Sequence, residues 1–313
     1  MRVAIITNTN NGKGLQRDAE LMAALIRAHG HTVALVHFQG APTPPRNAYD
    51  LAIFLEVGGS REARFHQCAR VKWLVPNAEW WEPLDSIDPF DRVLVKTIDA
   101  ERVFCDRRDA RPGQVAFLGF ESDDRAFGAS IDPSPAPEFL HIAGGSTMKG
   151  TQTILDAWHR YHIDAPLTLV TSIPQAFKTH RNPKVIGYSR IPDEKLAKLQ
   201  RSTLFHLQPS AYEGFGHVLH EGLSVGAVVI TTAGAPMNES PGVLPIVRTD
   251  QCFPLKSARV WGCSPLAILD AVTEVADLRM SEIEEIRTRA RRAFETERLA
   301  FRDALARELE GVR

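Results

Sequence analysis

The chain has 313 residues, 44% of them hydrophobic and 24% charged, with a formal net charge of -1. That length predicts two hydrophobic cores of ordinary domain size rather than one. The near-neutral balance gives no whole-surface basic field of the kind that recruits nucleic acid, so no nucleic-acid partner is expected.

Four cysteines, Cys68, Cys105, Cys252 and Cys263, form neither a close pair nor a metal-ligand spacing. Reduced thiols in a cytoplasmic protein, and no metal centre, are the expectation. The opening Met1-Arg2-Val3-Ala4-Ile5-Ile6-Thr7 is too short an apolar run for a signal peptide, and no run approaches the roughly 20 residues that cross a bilayer. Peripheral contact at the inner face of a membrane stays open, and the sequence carries no signal for oligomeric state.

Val3 to Thr7 predicts a strand, Asn8 to Gly14 a glycine loop, Gln16 to Ala28 an amphipathic helix with Leu21, Leu25 and Ile26 on one face, and Thr32 to Phe38 a second strand. Strand, loop, helix and strand in that order predict a parallel sheet. Gly12 and Gly14 let backbone approach a ligand at a helix N-terminus, although a plain tight turn accounts for them equally, because Arg17 stands where a dinucleotide fingerprint needs its third glycine. Further strands are expected at Leu51 to Val57, Val71 to Val75, Arg92 to Thr97 and Val115 to Gly119, with a helical turn at Ala100 to Cys105. Ligands of parallel sheets sit beyond the carboxyl ends of strands, which draws attention to Glu56, Asn77 and Glu79. Asn77 or Glu79 either binds a ligand or caps a helix; Trp80 and Trp81 read as packing residues. Glu121 to Pro137, acidic and rich in proline, reads as a linker.

The pattern restarts with a strand at Phe139 to Ala143, the loop Gly144-Gly145-Ser146-Thr147-Met148-Lys149-Gly150, and a helix from Thr151 to Tyr161 with Ile154, Leu155 and Trp158 inward. Gly145, Ser146, Thr147 and Lys149 suit a diphosphate, with backbone N-H groups and hydroxyls donating and the ammonium supplying charge. A solvated lysine is the alternative. Leu167 to Val170 and Lys184 to Ile186 predict strands, Gly187-Tyr188-Ser189-Arg190-Ile191-Pro192 a loop that offers backbone and an apolar side chain to a flat base, and Asp193 to Gln200 a helix. Thr203 to Leu207 is the strand that delivers Gln208-Pro209-Ser210-Ala211-Tyr212-Glu213-Gly214-Phe215-Gly216-His217.

Gly214 and Gly216 free the backbone, and a helix from His217 directs its N-terminus to the same sheet edge as Lys149. Glu213 and Glu221 repel phosphate, so their natural partners are hydroxyls of a sugar or ribose. A solvated pair of acids around a tight turn is the other account. A strand at Val228 to Thr232 leads to a loop carrying Glu239. Asp250 to Pro254 and Ala258 to Cys263 read as loops, Pro265 to Asp277 and Ser281 to Leu309 as helices. Arg287, Arg289, Arg291 and Arg292 read as a solvated face or as a site for an anionic acceptor or lipid headgroup.

Glu213-Gly214-Phe215-Gly216 with Glu221, preceded by Pro209-Ser210 and followed by Gly226 and Val228 to Thr231, resembles the E-x7-E signature of retaining GT-B glycosyltransferases of the family 4 type. The resemblance covers the second half, where Gly144 to Gly150 and Val185 to Gly187 stand at that family's phosphate and base loops. It implies two Rossmann-like domains facing across a cleft, with a terminal helix crossing back to the first. The domains are expected at 1–130, on the acceptor side, and 131–285, for the nucleotide sugar, with the helix at 286–313.

The resemblance further implies that Glu213 contacts sugar hydroxyls, Glu221 the ribose, and Lys149 the diphosphate. Asn77, from its place beyond a strand end, is the candidate catalytic residue of the first domain. Gly145, Ser146, Thr147, Gly187, Tyr188, Arg190, Gly214, Phe215, Gly216 and His217 would line the nucleotide site, together with Gly12 and Gly14. No cofactor or metal is expected, since the nucleotide diphosphate sugar is a co-substrate. The acceptor is a glycan, glycolipid or small molecule. The family's loop arginine is absent, with Ser146 and Thr147 in its place and Arg190 or Lys13 as candidates to replace it. An epimerase or hydrolase of sugar nucleotides, or a non-catalytic binder, are the alternatives.

Overall fold

The computed structural model describes residues 1–8, 14–39, 41–126, 137–173 and 182–312, with Ser60 and Arg61 described by backbone alone. Gly12, Lys13 and most of the expected linker therefore lie outside the described residues. Two compact units emerge. One comprises Met1–Glu121, Pro254–Ala258 and Glu297–Arg313, the other Ser122–Phe253 and Arg259–Thr296.

The first unit holds six parallel strands: β1 (Arg2–Thr7), β2 (Thr32–His37), β3 (Tyr49–Leu55), β4 (Ala69–Val75), β5 (Arg92–Val95) and β6 (Val115–Phe117). Their order is β2-β1-β3-β4-β5-β6. The apolar runs of β1 and β3 are central because both faces are covered, as near-continuous hydrophobic strands require. Helix α1 (Gly14–Ala28) buries Leu15, Ala19, Met22, Ala23 and Ile26 at helical spacing and ends before Gly30, whose φ of +81° suits a left-handed C-cap. Of the face expected from Leu21, Leu25 and Ile26, only Ile26 is fully buried, because smaller Ala19 and Ala23 let the helix approach the sheet more closely. Helix α2 (Ile98–Cys105) is capped by Thr97, whose hydroxyl accepts from the Ala100 N-H. Lys96 and Asp18 form an ion pair of 2.6 Å inside this unit, with side chains 2% and 5% exposed.

The second unit also has six parallel strands: β7 (Phe139–Gly144), β8 (Leu167–Thr171), β9 (Val185–Tyr188), β10 (Phe205–Gln208), β11 (Val228–Thr232) and β12 (Leu244–Val247). The order is β12-β11-β10-β7-β8-β9. Helices α3 (Thr151–Arg160), α4 (Asp193–Ser202), α5 (His217–Ser224) and α6 (Pro265–Ala276) flank it. Ile154, Trp158, Phe139 and Phe205 fill its core, with Phe139 edge-on to Trp158 and stacked on Phe205. Helix α7 runs unbroken from Met280 to Glu310, and its last turns group with the first unit.

Three expectations are corrected. Gly187 and Tyr188 lie in β9, paired with Leu169 and Val170, rather than in a loop, because a strand former follows the glycine and β8 offers a free edge. Gln251–Leu255 and Ala258–Gly262, read as loops, pair as β13 and β14. Pro254 hid the first of these, since proline enters strands only where no ladder N-H is needed. The arginines of α7 divide: Arg289 and Arg292 are exposed, but Arg287 bonds the Gly226 carbonyl and Arg291 holds both oxygens of Asp124.

Candidate functional site

In the second sheet the chain proceeds outward from β7 through β8 to β9, then returns to place β10 on the other flank of β7. Loops leaving β7 and β10 diverge at such a point, which is where open parallel sheets bind ligands. Those loops are Gly144 to Gly150 and Pro209 to Gly216. Both are held by backbone. The Ala211 N-H donates to the Met148 carbonyl at 2.7 Å. Gly150, at φ +73°, lies so close to Pro209 that a Cβ would stand 2.4 Å from its carbonyl oxygen. Beneath them His141 of β7, fully buried, engages the Leu207 carbonyl through Nδ1 and the Thr151 hydroxyl through Nε2. Burial drives its pKa down to about 4, against the opposing hydrogen bond, so the ring is neutral at physiological pH.

The loops bring together Lys149 and Glu213. The ammonium lies 2.5 Å from the carboxylate, with side chains 17% and 8% exposed, and the Ser210 hydroxyl also donates to Glu213. The Ser146 hydroxyl caps its own turn by accepting from the Met148 N-H, while Gly145 and Thr147 are exposed. Gly216, at φ +88°, turns the chain into α5. Phe215 stacks on His220 with centroids 4.0 Å apart and meets His217 edge-on. His217 Nδ1 lies 2.7 Å from the Ser122 hydroxyl.

Glu221, one turn into α5, has both oxygens engaged: Arg125 reaches Oε1 and Gln200 reaches Oε2, each at 2.8 Å. Tyr188 lies under the Lys195 ammonium, 4.4 Å from its ring centroid, and Arg190 is exposed in the following loop. Glu239, in the loop after β11, is half-buried.

In the first unit Asn77 is buried and donates its amide to Glu56, a residue at φ +59° at the end of β3; Glu79 is buried nearby in sequence. Gly14 is the exposed first residue of α1 rather than part of a loop. Sequence reasoning gave no role to Ser210, Gln200, Ser122 or Arg125. For Arg125 a signal existed, because one arginine among Ser122, Asp123 and Asp124 is placed to pair rather than to solvate.

Among the described residues no three His, Cys, Asp or Glu side chains gather as a metal site requires. None of the described helices is long and apolar enough to cross a membrane.

Two parallel α/β units joined by a long C-terminal helix define the GT-B architecture. Residues 129–240 match the family described as Glycosyl transferases group 1. The fold resembles a glycosyltransferase from Rickettsia africae with a TM-score of 0.71 at 12% identity, covering 99% of this chain and 97% of that one. It also resembles Anabaena HepE, solved with UDP and glucose, with a TM-score of 0.68 at 13% identity and coverage of 99% and 100%. A sucrose-phosphate synthase from Thermosynechococcus elongatus gives a TM-score of 0.65 at 15% identity, with coverage of 99% and 97%. No curated protein matches the sequence.

Proposed function

We infer that the protein is a retaining glycosyltransferase, of the family 4 type, that moves a sugar from a nucleoside diphosphate to a hydroxyl-bearing acceptor without a metal ion. The observation that carries this reading is the meeting of Lys149 and Glu213 at the switch point of the second sheet. A lysine has three donors, so one ammonium can serve both Glu213 and a diphosphate oxygen. Glu213, fixed by Ser210, accepts from hydroxyls of the donor sugar, and Glu221 accepts from the ribose.

As the sugar leaves, negative charge grows on the diphosphate, where Lys149 and the N-terminus of α5 stabilise it. The acceptor oxygen attacks the anomeric carbon on the face from which the diphosphate departs, and a phosphate oxygen takes the acceptor proton. The base rests against Gly187, Tyr188 and Arg190. The acceptor, a glycan, glycolipid or small molecule, belongs to the first unit, with Asn77 and Glu79 among the groups that meet it. A cytoplasmic location fits such a donor. The structure of HepE with UDP and glucose supports a nucleotide-sugar donor.

The test is thermal unfolding with UDP, GDP, ADP and their glucose conjugates, where a ligand at about 100 times its dissociation constant adds about 2.7 kcal/mol. Product analysis by NMR with an acceptor panel and chelator follows. One nucleotide should stabilise, and the product should keep the donor's anomeric configuration. The absence of the family's loop arginine favours a second reading, a binder that releases no nucleoside diphosphate. Sugar conversion without any acceptor would instead identify an epimerase or hydrolase.

A further inference from the structure

Arg125 lies in the stretch through which the chain enters the second unit, and both its terminal guanidinium nitrogens and its backbone are held there. Its Nη1 donates to Asp193 at 2.7 Å and its Nη2 to Glu221 at 2.8 Å. Its N-H donates to the Ser224 hydroxyl, and its carbonyl accepts from Arg201, both at 3.0 Å. Beside it, Asp124 is gripped by Arg291, whose Nη1 also donates to the Ser224 carbonyl at 2.6 Å. Four segments thus meet around Glu221: the entering chain, α4, α5 and α7.

The Arg125 side chain is 11% exposed, and burial opposes its charge. The Glu221 and Asp193 carboxylates overcome that penalty and raise its pKa, so the guanidinium is a permanent cation. Fully buried Gln200 holds the other Glu221 oxygen. A carboxylate offers about four acceptor directions, and two are spent on these donors. The remaining two cannot rotate, because one Arg125 N-H on Oε1 and the Gln200 amide on Oε2 fix the carboxyl plane from two sides. A carboxylate held in this way suits a vicinal diol and is wasted on a ligand lacking one of the hydroxyls.

We propose that Arg125 is a positioning residue that, with Gln200, fixes the carboxyl plane of Glu221 and thereby makes this unit select ribonucleoside diphosphates over their 2′-deoxy counterparts. The inference rests on the reading of Glu221 as the ribose ligand. Arg125 acts through Glu221 and need not touch the nucleotide. It also cancels the carboxylate charge that would otherwise repel the diphosphate.

Calorimetry with UDP, GDP and ADP and with the three 2′-deoxynucleoside diphosphates tests this on the full chain. For the base that binds best, the wild type should favour the ribose form by about tenfold or more, the worth of a hydrogen bond to a charged acceptor. Glu221→Gln should bring the ratio to within about threefold, since it removes that charge. Arg125→Gln should do the same. Arg125→Lys, which keeps the charge but loses the planar bridge from Asp193 to Glu221, should give an intermediate ratio and guards against a glutamine variant that fails to fold. A merely structural role for Arg125 would weaken both nucleotides equally. A wild-type ratio in either folded Arg125 variant, alongside a collapsed ratio in Glu221→Gln, overturns the proposal alone. A wild-type ratio near one, or a ratio unmoved by Glu221→Gln, overturns the ribose reading and the proposal with it.

Discussion

Replacing Lys149 by alanine should separate stability from activity. Glu213 is 7% exposed and takes its described donors from Lys149 and Ser210 alone. Losing one partner of a fully buried ion pair costs about 3–5 kcal/mol. Here Ser210 still donates and the pair retains some contact with solvent, which reduces the expected cost to about 2 kcal/mol. Lys149→Met combined with Glu213→Gln removes both charges and leaves an amide that can still accept from Ser210. The double variant should therefore lie within about 1 kcal/mol of wild type, with a coupling energy of about 1–2 kcal/mol in the cycle. Activity should show no such recovery. Loss of a charged donor to a developing oxyanion removes about 10²–10³ in kcat, and every variant lacking Lys149 should bear it. Urea denaturation gives the stabilities, and release of nucleoside diphosphate gives the rates. Full turnover in Lys149→Ala, or activity that returns with stability in the double variant, would refute a role for this pair in chemistry.

Gly150→Ala should cost about 1–3 kcal/mol and weaken nucleotide binding, because its backbone is left-handed and the new methyl group meets the Pro209 carbonyl. Gly144→Ala, also left-handed but facing open space, should retain binding, as thermal shift would report. In the first unit Asp18→Ala should destabilise by about 2–3 kcal/mol, because buried Lys96 loses its hydrogen-bonded partner while Glu56 and Glu79 still offset part of its charge, whereas Asp18→Leu with Lys96→Met should recover much of that in a denaturation cycle. His141 and His206 are both fully buried with pKa values lowered from 6.5 to about 4, chiefly by burial. The unfolded chain therefore takes up protons that the native state refuses. Stability falls as pH drops from 6.5 towards 4, by about 1.4 kcal/mol per pH unit for each histidine. His206→Gln should remove that ring's share of the slope measured between pH 5 and 6, and an unchanged slope would show that this ring is not a refusing group.

The scaffold of the second unit was legible because its strands are short apolar runs separated by glycine loops, and because Ile154, Leu155 and Trp158 repeat at helical spacing. Lys149 and Glu213 were legible as a pair since both follow strands, and strand order then brought the two loops together. Their direct contact was not, because nothing in a sequence says that two loops 60 residues apart are zipped by an Ala211 to Met148 hydrogen bond. Arg125 escaped notice because its stretch has the composition of a linker, although both terminal nitrogens of its guanidinium go to internal carboxylates. Pro254 concealed a strand by a rule that holds for central strands and fails at edges. Gly187 misled similarly, its flexibility reading as a loop where a neighbouring strand absorbed it.

Gly222 follows Glu221 and has no room for a side chain: a Cβ would lie 2.8 Å from both His206 Nδ1 and Val229 Cγ2. Helix α5 consequently rests flush on the sheet, and the height of Glu221 above that sheet is dictated from below by a missing methyl group. For a protein engineer this divides the unit into fixed and adjustable parts. Exchanging the ligand of this unit by tilting or lifting α5 would mean rebuilding the packing under it, whereas Tyr188 and Arg190 stand at the sheet's far edge, where substitution disturbs little else. Variation in what this unit binds should therefore accumulate at β9 and the loop after it, with α5 the reference plane against which such changes are measured.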